Sequence, residues 1–262
     1  MKDQTGREVN FSKIPSRIIS VVPSQTELLF DLGLSEEIVG VTKFCVHPEE
    51  LVKSKTKVGG TKNLNLEKIR SLKPDLILAN KEENKRSEIE ELMKDFPVWI
   101  SDVKILEDAL NMIESVGEVT GKQSEAKNIS ETISTRFTNL RLQTSNLKPQ
   151  RSVYLIWNKP IMTVGSDTFI SHIMERCGFK NIFGDRKRYP EITELELRDA
   201  SPQAILLSSE PFPFRQKHVE YFQNICPNAK ILLVDGQMFS WYGSRLQYAP
   251  AYFAELIRSS AG

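Results

Sequence analysis

With 262 residues, 40% of them apolar, the chain is long enough for two compact halves, each with its own core. Its 35 basic and 34 acidic residues nearly cancel. This argues against nucleic acid as the main partner, because phosphate binding rests on a clustered basic surplus. Three scattered cysteines match neither a disulfide framework nor a zinc spacing, although one disulfide stays open. The longest apolar runs, AILL at 204–207 and ILLV at 231–234, fall far short of the ~18 residues of a membrane span.

The run RIISVV (17–22) is short and β-branched and reads as a buried strand closed by Pro23. Ser24, with Glu27 three residues on, has the spacing of a capping box for the helix TELLFDLGL, which Gly33 ends. IVGVT (38–42) is a second strand, and KVGG a turn after a third, very short one. Asn65 caps the helix LEKIRSLK, which Pro74 terminates. DLILA (75–79) is a strand, a charged helix follows near 84–95, and PVWI (97–100) is a strand again. This alternation predicts a mostly parallel sheet.

A helix is predicted over 106–119, closing near Gly121. The stretch 122–146 then contains no Gly or Pro, and Ala126, Ile129, Ile133, Phe137 and Leu140 recur at helical spacing. At ~1.5 Å per residue it would reach about 35 Å, the span of a whole lobe. Beyond Pro149 the pattern resumes with a strand at 152–157, a helix TFISHIMERCG ended by Gly178, a helix TELELRDAS stopped by Pro202, and a strand AILLSS. The segments LEKIRSLKPDLILA (66–79) and LELRDASPQAILLS (195–208) share one plan of helix, Pro and strand, as a weak internal duplication would produce. The fold class read from this pattern is α/β, with two lobes around mostly parallel sheets joined by a single long backbone helix. The lobes are 1–121 and 147–262, and the joint is 122–146.

No dinucleotide fingerprint, P-loop or nucleophile elbow is present. Ser24 sits where a nucleophile could, between strand and helix, but capping accounts for it. The three histidines form no pair at metal-ligand spacing. His172 reads as structural. His47 lies in a loop at a strand's carboxyl end, where open α/β sheets bind ligands. No catalytic or metal-binding residues are therefore assigned. What stands out are aromatic, polar loops after strands: 156–165, 208–218 and 235–245, with 79–84 in the first half. Trp157, Met162, Phe212, Phe214, Phe239, Trp241 and Tyr242 are expected to gather at one edge of the second sheet, because large apolar loop residues must pack somewhere. They could wall a pocket, with Asn80, Lys159, Arg215 and Arg245 as polar anchors. Arg245 has a second reading, as a tie to a core carboxylate.

The motifs RIISVVPSQTELLFDLGL, VGGTKNLNLEKIRSLKPDLILA, TFISHIMERCGFKNIF and RYPEITELELRDASPQAILL together resemble the helical-backbone substrate-binding proteins of ABC importers for iron–siderophores, haem and cobalamin. Among these the chain is most similar to the cobalamin-binding receptors, and the likeness runs from about Arg17 to the C-terminus. The resemblance implies two lobes on a rigid helix, with the ligand in a cleft between them. It places Tyr189 at an aromatic cleft position. Thr61 and Asn80 stand where cobalamin receptors carry Trp, and Met162 where they carry Phe. It also implies transporter docking through one surface glutamate per lobe. In the first lobe this is Glu67. In the second, Leu195 occupies the position and Glu194 and Glu196 flank it.

The function expected is capture of a metal chelate or tetrapyrrole, corrinoid first and ferric siderophore or haem second, for an ABC importer. The chelate is cargo, and no cofactor is expected. The ligand set comprises Ser24, His47, Thr61, Asn80, Lys81, Trp157, Lys159, Met162, Tyr189, Phe212, Phe214, Phe239, Trp241 and Arg245. A monomer with an ABC permease as partner follows from this reading. Two other classes stay open: a cytoplasmic corrinoid or metal-chelate chaperone or sensor on the same fold, and a chelatase-like enzyme. The first 17 residues carry no apolar leader core. Localisation is thus periplasmic or membrane-associated if a signal precedes this stretch, and cytoplasmic if Met1 is the native start.

Overall fold

The computed structural model describes residues 1–261. They form two compact units. The first contains Met1–Val103, Glu107–Ile133 and Trp241–Arg245, and the second contains Lys104–Leu106, Ser134–Ser240 and the residues from 246 onward.

In chain order the first half carries β1 (Ile18–Ser20), α1 (Pro23–Asp31), β2 (Ile38–Val41), α2 (Glu49–Lys53), β3 (Thr56–Lys57), β4 (Gly59–Gly60), β5 (Asn63–Leu64), α3 (Leu66–Ser71), β6 (Leu76–Asn80), α4 (Arg86–Leu92), β7 (Val98–Ser101), α5 (Leu106–Thr120) and α6 (Gln123–Thr144). Its main sheet has the order β3-β2-β1-β6-β7 and every pairing is parallel. The central strands β1 and β6 are buried at every position, as expected for a parallel sheet covered on both faces. Ile19, Val58, Ile69, Ile77, Ile89 and Leu92 pack into one core beside it.

The long helix is α6, and the division between the units falls inside it, after Ile133. Ala126, Ile129, Ile133, Phe137 and Leu140 are all buried, so the helical spacing identified the inward face. The predicted glycine stops hold: Gly33, Gly121 and Gly178 all have positive φ just past a helix end.

The second half carries β8 (Gln150–Leu155), β9 (Ile161–Met162), α7 (Phe169–Arg176), β10 (Phe179–Asn181), β11 (Glu191–Ile192), α8 (Glu194–Asp199), β12 (Ala204–Ser208), α9 (Gln216–Ile225), β13 (Lys230–Val234), α10 (Gly236–Ser240), a 3₁₀ turn at Ser244–Gln247 and α11 (Ala249–Ala261). Its parallel sheet has the order β10-β8-β12-β13, and β9 and β11 form a separate antiparallel ribbon. The fold is therefore α/β with a parallel sheet in each unit.

The helix–Pro–strand repeat is visible in backbone detail. Asn65 caps α3 by accepting from Lys68 N, and Thr193 caps α8 by accepting from Glu196 N. Each helix then ends at a non-glycine residue of positive φ before proline, Lys73 (φ 46°) and Ser201 (φ 47°). Each leads into an interior strand, β6 or β12.

One capping expectation is corrected. Ser24 does not cap α1. The helix begins at Pro23 behind an extended Val22, because proline has no N–H to leave unsatisfied and a φ already suited to the first helical position. Ser24 thus lies inside the first turn, 2% exposed, and Glu27 is released for another partner. The cysteines are all free and buried. Among the described residues no helix is long and apolar enough to cross a membrane.

Candidate ligand-binding site

In the first unit His47 lies on the loop after β2, Asn80 ends β6 with Lys81 just beyond it, Thr61 lies in the turn between β4 and β5, and Ser24 lies in α1. The loop after β2 is held by Cys45, whose buried Sγ lies 3.1 Å from Thr26 Oγ1 and 3.2 Å from Thr42 Oγ1. His47 is half-buried, and its ring meets Trp241 edge-on with centroids 5.5 Å apart. Trp241 is 7% exposed and carries the Arg245 guanidinium 5.0 Å from its ring centroid. Arg245 in turn donates to both carboxylate oxygens of Glu27, at 2.9 and 2.5 Å. Tyr242 donates its hydroxyl to Glu83; burial, with Glu83 beside it, raises this hydroxyl's pKa well above the usual range. Gly243 completes the segment, since a Cβ there would lie 2.3 Å from Ser24 O.

These contacts revise three expectations. Trp241 and Tyr242 do not join the aromatic residues of the second sheet, because 241–245 packs into the first unit. Arg245 follows its second reading and ties the segment to a core carboxylate. Asn80 is committed to its own turn: its Nδ2 donates to Ser101 Oγ at 2.9 Å, and its Oδ1 accepts from Glu82 N and Glu83 N at 2.8 and 3.0 Å. A buried amide with these partners has little capacity left for a ligand. Thr61 is half-buried, and its carbonyl accepts from Asn84 Nδ2 at 3.1 Å. Lys81 is exposed and paired with Asp102.

In the second unit a ladder of rings runs from surface to core. Trp157 is 39% exposed, and its indole N–H donates to Lys159 O at 3.0 Å. Its ring lies 5.6 Å edge-on from half-buried Phe212, which lies 4.8 Å from buried Phe214, and Phe214 lies 6.0 Å from Phe222 in the core. Such edge-to-face pairs fix ring orientation as well as burying area. His218 packs against Phe212 and Phe214 at 5.2 and 5.4 Å, and its Nδ1 accepts from Arg215 N. Burial, helped by Lys217, lowers its pKa, so the ring is neutral near pH 7. Met162 is half-buried and faces Trp157 across a backbone bridge. Lys159 is exposed, and half-buried Tyr189 lies under the Arg188 guanidinium at 5.7 Å.

Phe239 does not belong to this wall. Residues 236–240 form α10 rather than a loop, and the helix turns Phe239 inward. There it is fully buried, 4.9 Å from Tyr154 and 4.8 Å from Phe253.

The candidate docking glutamates differ in freedom. Glu67 is exposed on the first turn of α3. Glu194 accepts from the Tyr221 hydroxyl at 2.5 Å. Glu196 is taken up locally by Arg186 at 2.6 Å and by Thr193 N at 2.7 Å; Arg186 above all holds its pKa down to about 2. Leu195 between them is 61% exposed. Among the described residues no three His, Cys, Asp or Glu side chains gather as a metal-binding group.

Sequence reasoning passed over Phe44 and Val46, on the same loop as His47. They are 51% and 44% exposed. The signal was available: KFCV alternates apolar side chains around a small residue directly after a strand.

The family model described as periplasmic binding protein matches residues 18–223. The chain belongs to the periplasmic binding protein family. The resemblance read from its motifs is thereby borne out. Within the family, a vitamin B12-binding protein of Vibrio vulnificus strain YJ016 is 32% identical over 194 residues, 73% of this chain and 71% of that protein. An uncharacterized ABC transporter substrate-binding lipoprotein of Bacillus subtilis strain 168 is 30% identical over 212 residues, 78% of this chain and 67% of that protein. Among solved structures, the periplasmic vitamin B12 binding protein of Vibrio cholerae superposes with a TM-score of 0.82 at 24% identity, covering 95% of this chain and 98% of that one. The apo haem-binding protein of Roseiflexus sp. RS-1 gives 0.82 at 18% identity, covering 94% and 99%. These two likenesses carry the fold.

Proposed function

We propose that this periplasmic binding protein is the solute-binding component of an ABC importer and captures a metal chelate or tetrapyrrole. A corrinoid comes first, because similar chains are named for vitamin B12. Ferric siderophore and haem follow. The observation that carries the reading is Trp157, a surface indole at a strand's carboxyl end, backed by Phe212 and Phe214 in a fixed edge-on ladder. A flat conjugated ligand gains most from a ring that is already oriented, since little rotamer entropy remains to be lost on binding. Met162, bridged to Trp157, adds an apolar side chain beside the indole, and Lys159 supplies a cation for the ligand's polar rim. The protein acts by binding alone.

Its partner would be a permease, met in part through Glu67, whose exposed charge on α3 suits electrostatic steering. The place of action would then be outside the cytoplasmic membrane, in a periplasm or tethered to a membrane. The test is titration of the purified protein with cyanocobalamin, ferrichrome and haemin, followed by tryptophan fluorescence. Saturable quenching by at least one is expected. No saturable change with any of the three overturns the chelate reading.

A further inference from the structure

The loop 209–215, between β12 and α9, carries Phe212 and Phe214 and so backs the Trp157 indole. Side chains pin both of its ends. At the first, Glu210 accepts from Ser240 Oγ at 2.8 Å, and Ser209 Oγ accepts from Gly236 N at 2.9 Å. At the second, Arg215 is the N-cap residue of α9, and its backbone N–H donates to His218 Nδ1 at 2.8 Å. Between the ends the bonds from Phe212 N to Ile156 O and from Phe214 N to Ser208 O are long, 3.4 and 3.3 Å.

His218 fills the role that Glu or Gln has in a capping box, reaching back from the third helical position to the N–H of the cap. A histidine there can lose its acceptor. Nδ1 accepts only in the neutral ring, with the proton on Nε2. Protonation would turn Nδ1 into a donor facing the Arg215 N–H. It would also place a positive charge in the first turn of α9, where the helix dipole opposes it, on a side chain only 7% exposed and packed between Phe212 and Phe214. The charges that act on the ring, Lys217 on α9 and Arg215 in the loop, are both positive. The loop carrying Trp157 adds exposed Lys159, and one turn along α9 Tyr221 donates to Glu194. Burial first, then Lys217, lower the pKa of His218. The folded ring therefore takes up its proton at a lower pH than an unfolded one, so its hold on the loop is complete above about pH 6.5 and is lost as pH falls below it.

We propose that His218 is a positioning residue for the Trp157 surface: its neutral ring caps α9 and holds loop 209–215 so that Phe212 backs the indole, and uptake of a proton frees the loop and weakens capture. The link to capture rests on the chelate-binding reading above. The hold on the loop does not.

The test first reads the loop without a ligand. Tryptophan emission of the full chain is followed from pH 8 to pH 5, and the Trp157 component is the difference from a Trp157→Phe variant. It should change with one midpoint, below about pH 6.5, coincident with the His218 imidazole titration followed by NMR. It should stay flat in His218→Gln, which keeps an acceptor but takes up no proton. Trp157 emission that ignores pH, titrates apart from His218, or titrates equally in His218→Gln overturns the proposal. The first two outcomes need no substitution at His218 and decide the matter even if that variant fails to fold. Titration with cyanocobalamin and ferrichrome at pH 7.5 and pH 5 then reads capture. For a probe that the unaltered protein binds, affinity should be about threefold or more lower at pH 5, a single proton setting a limit of about tenfold per pH unit. The ratio should shrink toward one in His218→Gln. An equal ratio in both proteins overturns the role in capture while the chelate reading stands. If neither probe binds yet Trp157 follows His218, the chelate reading loses its support and the hold on the loop stands.

Discussion

Replacing Arg245 by Met would isolate the ion pair that anchors 241–245. The Glu27 and Arg245 side chains are 11% and 14% exposed, with two hydrogen bonds at 2.5 and 2.9 Å. Removing the guanidinium leaves a nearly buried carboxylate without its counter-charge, a change that costs about 3–5 kcal/mol in comparable pairs. The loss of the cation over Trp241 adds to it. The cost should depend on pH in a definite sense. Burial already raises the Glu27 pKa above its ordinary value despite Arg245. A carboxyl whose folded pKa exceeds its unfolded pKa binds more protons when folded, so its contribution falls as pH rises through the folded pKa. Without Arg245 the folded pKa rises further. The Arg245→Met variant should therefore recover part of its deficit between pH 8 and pH 5, by taking up a proton at Glu27. Urea unfolding read through tryptophan fluorescence at the two pH values measures this. Adding Glu27→Leu to the variant should restore stability at pH 8, because no buried charge is left. A deficit below about 1 kcal/mol, or one unchanged by pH, would refute the argument that burial of Glu27 makes Arg245 necessary.

Trp157→Ala should weaken chelate binding by about 1–3 kcal/mol, by analogy with base–aromatic stacking, with little change in the urea midpoint; Phe239→Ala should do the reverse and cost about 3–5 kcal/mol of stability, since its ring is fully buried. Gly243→Ala should destabilise the first unit by about 1–3 kcal/mol, because its methyl group would meet Ser24 O at 2.3 Å, and tryptophan-detected melting reads this. Thr193→Ala should lose about 1 kcal/mol through the α8 cap in the same assay. The Glu196 half of that cap titrates with a pKa depressed to about 2; its contribution should be complete above the ordinary carboxylate range and disappear only as pH falls through about 2, which an NMR titration of its side chain would follow.

Much of the candidate site was legible because its signals are local. Trp157, Phe212 and Phe214 follow apolar strands and do meet one another, as large rings near a strand end must find partners. His47 was placed by its position after β2. Phe44 and Val46 were missed because apolar loop residues usually pack inward, and only the hydrogen bonds of Cys45 decide which members of KFCV face out. Asn80 was misjudged for the opposite reason: a polar residue after a strand suggests a ligand, but its amide is taken up by Ser101 and its own turn.

Taken alone, the sequence determined the elements with a short repeat length. These are the period of α6, the glycine and proline stops, the doubled helix–Pro–strand unit, and the parallel α/β class they imply. Each depends on backbone preference and on apolar residues a few positions apart. The capping spacing of Ser24 and Glu27 showed the limit of such signals, since Pro23 was the stronger local determinant. The tertiary structure decided where Phe239, Trp241 and Arg245 belong. They fall within one short stretch, yet Phe239 packs in the core of the second unit while Trp241 and Arg245 pack in the first. The partner of Arg245 is Glu27, more than two hundred positions away. No periodicity encodes such a pairing, because its energy comes from bringing a buried charge on α1 and its counter-charge in the 3₁₀ turn together once the surroundings of both exist.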